Sequence, residues 1–178
     1  MKIKTTPSVV IRIFLWVIML IGGIYYGIKY DIIYFPHLIA DPFFHIFTFI
    51  IGFFLMKLSF NAAKAGGKEL KKYGREGDIP RLETNKLVTT GIYSCFRHPM
   101  LFGLSFIPLS LALLVGSPSF ILFIAPFEMI FILIMVLVFE EMECHKKFGK
   151  DYEEYKRKTP IFSKELSCYK RLFCGLYS

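Results

Sequence analysis

Residues 99–139 read PMLFGLSFIPLSLALLVGSPSFILFIAPFEMIFILIMVLVF, an apolar stretch carrying one charge, Glu128, and broken once by Gly116-Ser117-Pro118. Crossing about 30 Å of hydrocarbon takes about 20 mostly apolar residues at about 1.5 Å each. The stretch therefore holds two crossings, 99–115 and 119–139, and the short break leaves room only for an antiparallel helical hairpin. Pro108 and Pro126 fall inside these helices, where the missing N–H and the ring predict kinks. A tight turn at one end forces the other two ends, before Pro99 and after Phe139, to lie side by side.

Two more spans precede the hairpin. Residues 9–28 carry only Arg12, near the start, and residues 42–60 carry only Lys57, near the end. The first lacks a small-residue cleavage site and its apolar run is long for a signal peptide, so it reads as a retained span. Lys and Arg then orient the chain. Residues 61–98 hold Lys64, Lys68, Lys71, Lys72, Arg75, Arg81, Lys86 and Arg97, and the tail after Phe139 is equally basic, whereas residues 29–41 hold only Lys29 and the hairpin turn holds none. Both termini and the 61–98 loop are expected on the cytoplasmic side. The predicted fold is an all-α polytopic membrane helical bundle of four transmembrane helices, a single membrane domain over residues 1–178. Its cytoplasmic parts are the loop 61–98 and the tail 140–178. Residues 61–80 read as a polar, glycine-rich loop with at most one interfacial helical turn. The tail from Glu140 to Lys158 reads as an amphipathic helix continuing the fourth span.

Composition excludes several classes. A chain of 178 residues with 54% hydrophobic residues, 20 Phe and a mean hydropathy of +0.51 is not disordered, collagenous or coiled coil. A net charge of +8 suits nucleic acid or a membrane surface, and the apolar runs decide for the membrane. The lysines of residues 61–81 have little aromatic interleaving, which fits anionic lipid headgroups and gives no nucleic-acid partner. Cys95, Cys144, Cys168 and Cys174 show no paired C-x-x-C spacing. The expectation is therefore no metal site, no disulfide framework and reduced thiols. The lack of a targeting peptide and the compact four-span design favour a prokaryotic inner membrane.

Polar residues concentrate where the hairpin's open ends meet. Lys86, Tyr93, Arg97 and His98 come just before the third span, and Glu140, Glu141, Tyr152 and Tyr155 just after the fourth. Taken singly, each has an ordinary reading: Arg97 and His98 as residues reaching for headgroups, Pro99 as a first-turn proline, the glutamates as a solvated face, the tyrosines as interfacial aromatics. Glu128 is open between a polar group of a substrate channel and a protonated acid bonded to a backbone carbonyl near Pro126 or Pro108. His37 and His45 read as interfacial and His145 as a surface residue of the tail.

Jointly these residues form a recognisable pattern. GIYSCFRHPMLFG, residues 91–103, resembles the G-x-Y-x-x-x-R-H-P-x-Y-x-G motif of isoprenylcysteine carboxyl methyltransferases and related phospholipid N-methyltransferases. FEEMECHKKFGKDYEEYKRKTPIF, residues 139–162, is similar to the E-E-x-x-L-x-x-x-F-G-x-x-Y-x-x-Y-x-x-x-T-P ending of the same family. The resemblance implies an integral membrane methyltransferase using S-adenosylmethionine as cofactor, acting on a lipid or other lipophilic substrate at the cytoplasmic face. By position it assigns cofactor contacts to Asn85, Lys86, Leu87, Val88, Tyr93, His98, Pro99, Met100, Leu101 and Glu140. Arg97 would lock the pocket by pairing with Glu140 or Glu141, and Glu141 or Tyr155 would serve as base if the acceptor arrives protonated. Two positions depart from the family: Leu101 stands where it has Tyr, and Val136 where members acting on prenylated cysteine have an arginine that meets the substrate. A buried carboxylate would lack its cationic partner there, so a substrate other than a prenylcysteine carboxylate is expected. Two other classes stay open at this point. A nicotinamide-dependent membrane reductase on a similar scaffold would want a cluster of cations for a second phosphate. A non-catalytic membrane protein would keep the motif for packing alone.

Overall fold

The computed structural model describes residues 7–79 and 83–174, with side chains from Ile11 onward; Arg81 of the basic loop lies outside them. Every described regular element is helical. In chain order they are α1 (Pro7–Tyr34), the single turn α2 (Pro36–Ile39), α3 (Pro42–Tyr73), a 3-10 turn (Gly91–Ser94), α4 (Pro99–Ser105), α5 (Ile107–Val115), α6 (Ala125–Met135), α7 (Glu141–Lys158) and α8 (Leu166–Cys174). Wide π turns at Phe120–Ile124 and Val136–Glu140 flank α6. Ile11–Tyr34, Pro42–Tyr73 and Phe120–Lys158 are long and apolar enough to cross a membrane, and Pro99–Val115 is a shorter apolar segment. That is the predicted all-α polytopic design.

The chain divides into two compact units, residues 60–104 with 134–178, and residues 7–59 with 105–133. The second unit holds the hairpin turn. α5 ends on Gly116 at φ 69° and ψ 38°, a left-handed cap that glycine adopts without penalty. Here the helices approach on small residues. A Cβ on Gly23 would lie 2.7 Å from the Phe120 ring, one on Gly27 2.7 Å from the Ser117 hydroxyl, and one on Gly52 2.8 Å from the Leu114 nitrogen. Gly23 and Gly27 form the small-x-x-x-small spacing by which membrane helices pack where no hydrophobic force separates lipid from leucine. Phe120, Ala112 and Ala125 are buried between them, while Phe43, Phe47 and Phe127 stay exposed on the outside. Asp31, 2% exposed, accepts the Ser119 N–H at 2.6 Å and so caps the start of the fourth span from α1. Glu128 is buried against Gly23, whose Cβ would fall 2.8 Å from its Oε1, and its Oε2 has no hydrogen-bond partner. His45 bonds the Ile39 carbonyl at 2.9 Å, and His37 is exposed.

Both prolines interrupt their helices. α4 stops at Ser105, and Pro108 sits in the first turn of α5, where its missing N–H costs nothing. Pro126 has no N–H to give the Leu122 carbonyl, and the backbone before it opens into the first π turn.

The first unit gathers the end of α3, the 3-10 turn, α4, α7 and α8. Its core is Ala62, Ala65, Val88, Ile92, Tyr93, Cys95, Phe96, Cys168 and Leu172, with Phe102, Tyr169 and Phe173 against it. Residues 61–73 were expected as loop, and they are helix. Ala62, Ala63, Lys64, Ala65, Lys68, Glu69, Leu70, Lys71 and Lys72 are strong helix formers. Their hydrophilic side chains mask this from a hydropathy reading. Gly66 is the exception that packing requires, because a Cβ there would lie 2.7 Å from the Met100 backbone nitrogen.

Gly67, one residue on, would place a Cβ no closer than 3.8 Å to the Met100 sulfur. Gly66→Ala should therefore destabilise the protein by about 1–3 kcal/mol through overpacking, whereas Gly67→Ala should stabilise it by up to about 1 kcal/mol through helix propensity. Thermal unfolding of the two variants in detergent measures the difference.

Candidate active site

The candidate residues read from the sequence divide into three stretches of the first unit. Asn85–Val88 follow α3 and are tied to its end: the Asn85 and Lys86 N–H groups donate to the Gly74 carbonyl at 2.9 and 3.2 Å. The Asn85 amide exchanges two hydrogen bonds with the Glu76 backbone, at 2.8 and 2.6 Å. Val88 is buried, and Lys86, Leu87 and Val88 line a cavity of about 430 Å³ together with Lys72, Tyr73, Arg75, Thr89 and Thr90.

The second stretch is the 3-10 turn and the start of α4. Gly91 opens the turn at φ 61°, and the Glu69 carboxylate lies where a Cβ on it would be, within 2.8 Å. Tyr93 is buried, and burial pushes its phenol well above the ordinary value, with Tyr155 and Cys144 adding to the shift. Arg97 and Pro99 are buried, His98 nearly so, and Met100 and Leu101 half-buried. The Arg97 N–H donates to the Pro160 carbonyl at 3.2 Å, pinning the tail to this stretch.

The third stretch begins with Glu140 and Glu141 at the second π turn. Glu141 is the one that turns inward. Its Oε1 lies 2.9 Å from the Arg97 guanidinium and 3.7 Å from His98 Nε2, and its Oε2 accepts from Lys156 Nζ at 2.6 Å. The Arg97 and Glu141 side chains are 7% and 9% exposed, so this pair is largely withdrawn from water. Of the two glutamates offered by the sequence as Arg97's partner, the structure pairs Arg97 with Glu141. Glu140 is half-buried and adds a field that raises Tyr93 and Cys144.

Lys156 lies 15 residues beyond Glu141, a rise of about 22 Å along a straight helix. The ion pair therefore requires the tail to fold back, and it does so at Gly149, whose φ of 53° and ψ of −125° lie outside the helical region. The tail is thus two helical segments about a glycine, a correction to the single continuing helix expected from the sequence. His145 bonds Glu153 at 2.8 Å across the same bend. The fold-back carries Tyr152 and Tyr155 onto the second stretch. Tyr155 donates to the Tyr93 carbonyl at 2.6 Å, and Tyr152 OH lies 3.5 Å from His98 Nε2. Burial raises both phenols above their ordinary value, so they remain neutral donors. Val136, at the position where a substrate-binding arginine was sought, is buried.

Sequence reasoning missed four parts of this arrangement: Lys156, the hinge at Gly149, the Glu69 carboxylate on Gly91, and a disulfide between Cys95 and Cys168. The disulfide corrects the expectation of reduced thiols throughout. Its partners are 73 residues apart and converge because α8 packs on the 3-10 turn, a contact that cysteine spacing cannot reveal. The Phe-Gly-Lys sequence at residues 148–150 was the one local signal for the hinge.

The helices define a polytopic membrane protein, and its first unit holds a buried, ion-paired polar site at the starts of α4 and α7. The phospholipid methyltransferase family profile matches residues 43–151, and the chain belongs to that family, which makes it a membrane methyltransferase. The match contains the R-H-P stretch and the paired glutamates and stops just before Tyr152, Tyr155 and Lys156. No curated protein and no solved structure matches the chain.

The hinge and the buried imidazole give two expectations. Gly149→Ala should cost about 1–3 kcal/mol, since an L side chain is strained in that backbone conformation, and unfolding in detergent reports it. Burial holds His98 well below its ordinary 6.5, at about 4, against the opposing pull of Glu141. The unfolded chain thus takes up a proton at a pH where the folded one does not. The stability His98 contributes is complete above pH 6.5 and is lost as pH falls towards 4. In His98→Gln the slope of melting temperature against pH over that window should be shallower than in the parent protein.

Proposed function

We propose that this chain transfers the methyl group of S-adenosylmethionine to a lipophilic acceptor without a carboxylate, at the cytoplasmic face of the membrane. The reading is carried by the Arg97–Glu141 contact of 2.9 Å, which draws the R-H-P stretch and the paired glutamates together in a chain of a methyltransferase family.

The donor set suits such a cofactor, whose amino-acid end is zwitterionic, whose sulfur is cationic and whose adenosine presents polar edges. Arg97 Nε and Glu69 Oε2 are buried without a hydrogen-bond partner, and His98 Nε2 has contacts no shorter than 3.5 Å. His98 would hold the carboxylate end and Glu140 the ammonium or ribose, as charge-assisted hydrogen bonds. Tyr93 offers a ring face to the sulfonium or adenine. Backbone groups of Lys86, Leu87 and Val88 would read the adenine edge beside their cavity, with Asn85 ordering that stretch through Glu76, and Pro99, Met100 and Leu101 would form the rigid wall of the first turn of α4. When bound, this cofactor supplies a methyl carbon already activated for in-line displacement.

The chain's own work is then alignment and exclusion of water. Arg97 and Lys156 hold Glu141 from both sides, which fixes α7 against His98. Tyr155, bonded to the Tyr93 carbonyl, holds the 3-10 turn that presents the ring. For an acceptor that arrives protonated, Glu141 Oε1 is the oxygen beside the imidazole that would take the proton, with the Tyr155 hydroxyl the other candidate. Val136 provides no cation for an acidic substrate, which favours a neutral or amine-bearing lipid.

Labelled S-adenosylmethionine should bind the detergent-purified protein, and NADPH should not. Glu140→Gln and His98→Ala should each weaken that binding by at least about tenfold, the loss of one charge-assisted hydrogen bond, while the protein still inserts and melts cooperatively. Undiminished affinity in both variants removes the assignment. Mass spectrometry of lipid extracts incubated with protein and deuterated-methyl cofactor would identify the acceptor.

A further inference from the structure

Cys95 and Cys168 are bonded to each other, with 5.7 Å between their Cα atoms. Both line a cavity of about 450 Å³ whose wall also carries Lys158, Lys164 and Arg171, with Glu165 as the opposing charge. Lys158 also reaches Glu154 at 2.5 Å. The approach to the sulfur atoms is thus cationic. What the bond secures is equally specific. Cys95 directly follows the 3-10 turn that bears Tyr93 and stands two residues before Arg97, while Cys168 lies in the first turn of α8. Besides this bond, α8 is held to that segment by packing, as between Tyr169 and Phe96, 5.1 Å between ring centroids.

We propose that the Cys95–Cys168 bond is an exchange site for an anionic low-molecular-weight thiol, and that its opening loosens the segment bearing Tyr93, Arg97 and His98. Both cysteines are mostly buried and meet solvent through this cavity; Glu165 Oε2 lies 3.9 Å from the Cys168 sulfur and shields it from an anion, so Cys95 Sγ is the sulfur attacked from the cavity. The incoming thiolate forms a bond to Cys95 Sγ as the bond to Cys168 breaks. Cys168 leaves as a thiolate at the start of α8, where helix N–H groups favour negative charge, and then takes a proton from solvent. A second thiolate attacks the sulfur of the first in the mixed disulfide, and Cys95 leaves and is protonated. In sum, one cystine and two thiols give two cysteines and one disulfide of the reductant, with two electrons passing to the protein. On the cytoplasmic assignment of the basic loop and tail, such a bond stands in a reducing compartment, where protein disulfides are characteristically transient and redox-sensing.

The test uses the full chain in detergent at low ionic strength and three probes: anionic glutathione, neutral 2-mercaptoethanol and cationic cysteamine. Opening is read by alkylation and mass spectrometry of the Cys95 and Cys168 peptides. Each rate is divided by that thiol's rate on hydroxyethyl disulfide. The normalised glutathione rate should exceed that of cysteamine by about tenfold. The preference should collapse in Lys164→Glu/Arg171→Glu, and in the unaltered protein at about 1 M salt, where the Debye length is about 3 Å. Hydrogen exchange over residues 91–98 should rise several-fold on opening, and to the same degree in Cys95→Ser/Cys168→Ser. Equal normalised rates, or a preference that survives high salt, overturn the exchange site. Unchanged exchange over 91–98 overturns the coupling. None of these readings depends on methyl transfer, so they stand or fall apart from the proposed activity.

Discussion

The first unit is organised around one carboxylate. Glu141 sits between Arg97 and Lys156, with His98 at its edge; Arg97, His98 and the carboxylate are withdrawn from water, while Lys156 is half-exposed. An ion pair so placed carries a desolvation cost that its own attraction barely offsets, and breaking it leaves a buried charge. It is therefore better read as a constraint than as a source of stability. Matching these charges brings three stretches of chain together: the turn before α4, the first half of α7 and the half that returns after Gly149. That arrangement also brings Tyr155 to the Tyr93 carbonyl and Tyr152 towards the imidazole.

The hairpin was legible because both signals were local and strong: an apolar stretch too long for one crossing, and Gly116-Ser117-Pro118 dividing it. The convergence of Arg97 with the paired glutamates followed from the same turn. The rest was written in a less visible form. The helix over residues 61–73 is masked by lysines, since hydropathy detects burial and not propensity. The fold-back at Gly149 hangs on one backbone conformation. The ion pair with Lys156 depends on that fold-back, so no spacing rule on a continuous helix could place it. The two glutamates straddle the end of the second π turn, where the helix departs from its regular 3.6-residue period, so helical spacing could not say that Glu141 faces Arg97.

The two units solve packing differently. The one holding the site has an aromatic core, with Phe96, Phe102, Tyr169 and Phe173 in mutual ring contact. The other relies on glycines, alanines and serines at its helix contacts, buries Phe120 among them and turns most of its other phenylalanines outward. In hydrocarbon, large side chains gain nothing by leaving lipid, so close backbone approach replaces burial as the cohesive term. Gly23, Gly27 and Gly52 belong to that logic.

The contact between Asp31 and the Ser119 N–H joins residues 88 positions apart. The Ser117 hydroxyl accepts the Phe120 N–H at 3.2 Å from within the turn, while the Ser119 N–H is met from α1. The beginning of the last membrane arm is completed by an oxygen belonging to the earliest one. Since the amino-terminal arm leaves the ribosome well ahead of its partner, the acceptor waits in place for the donor. The first turn of the later arm is thus completed only in the presence of the earlier one.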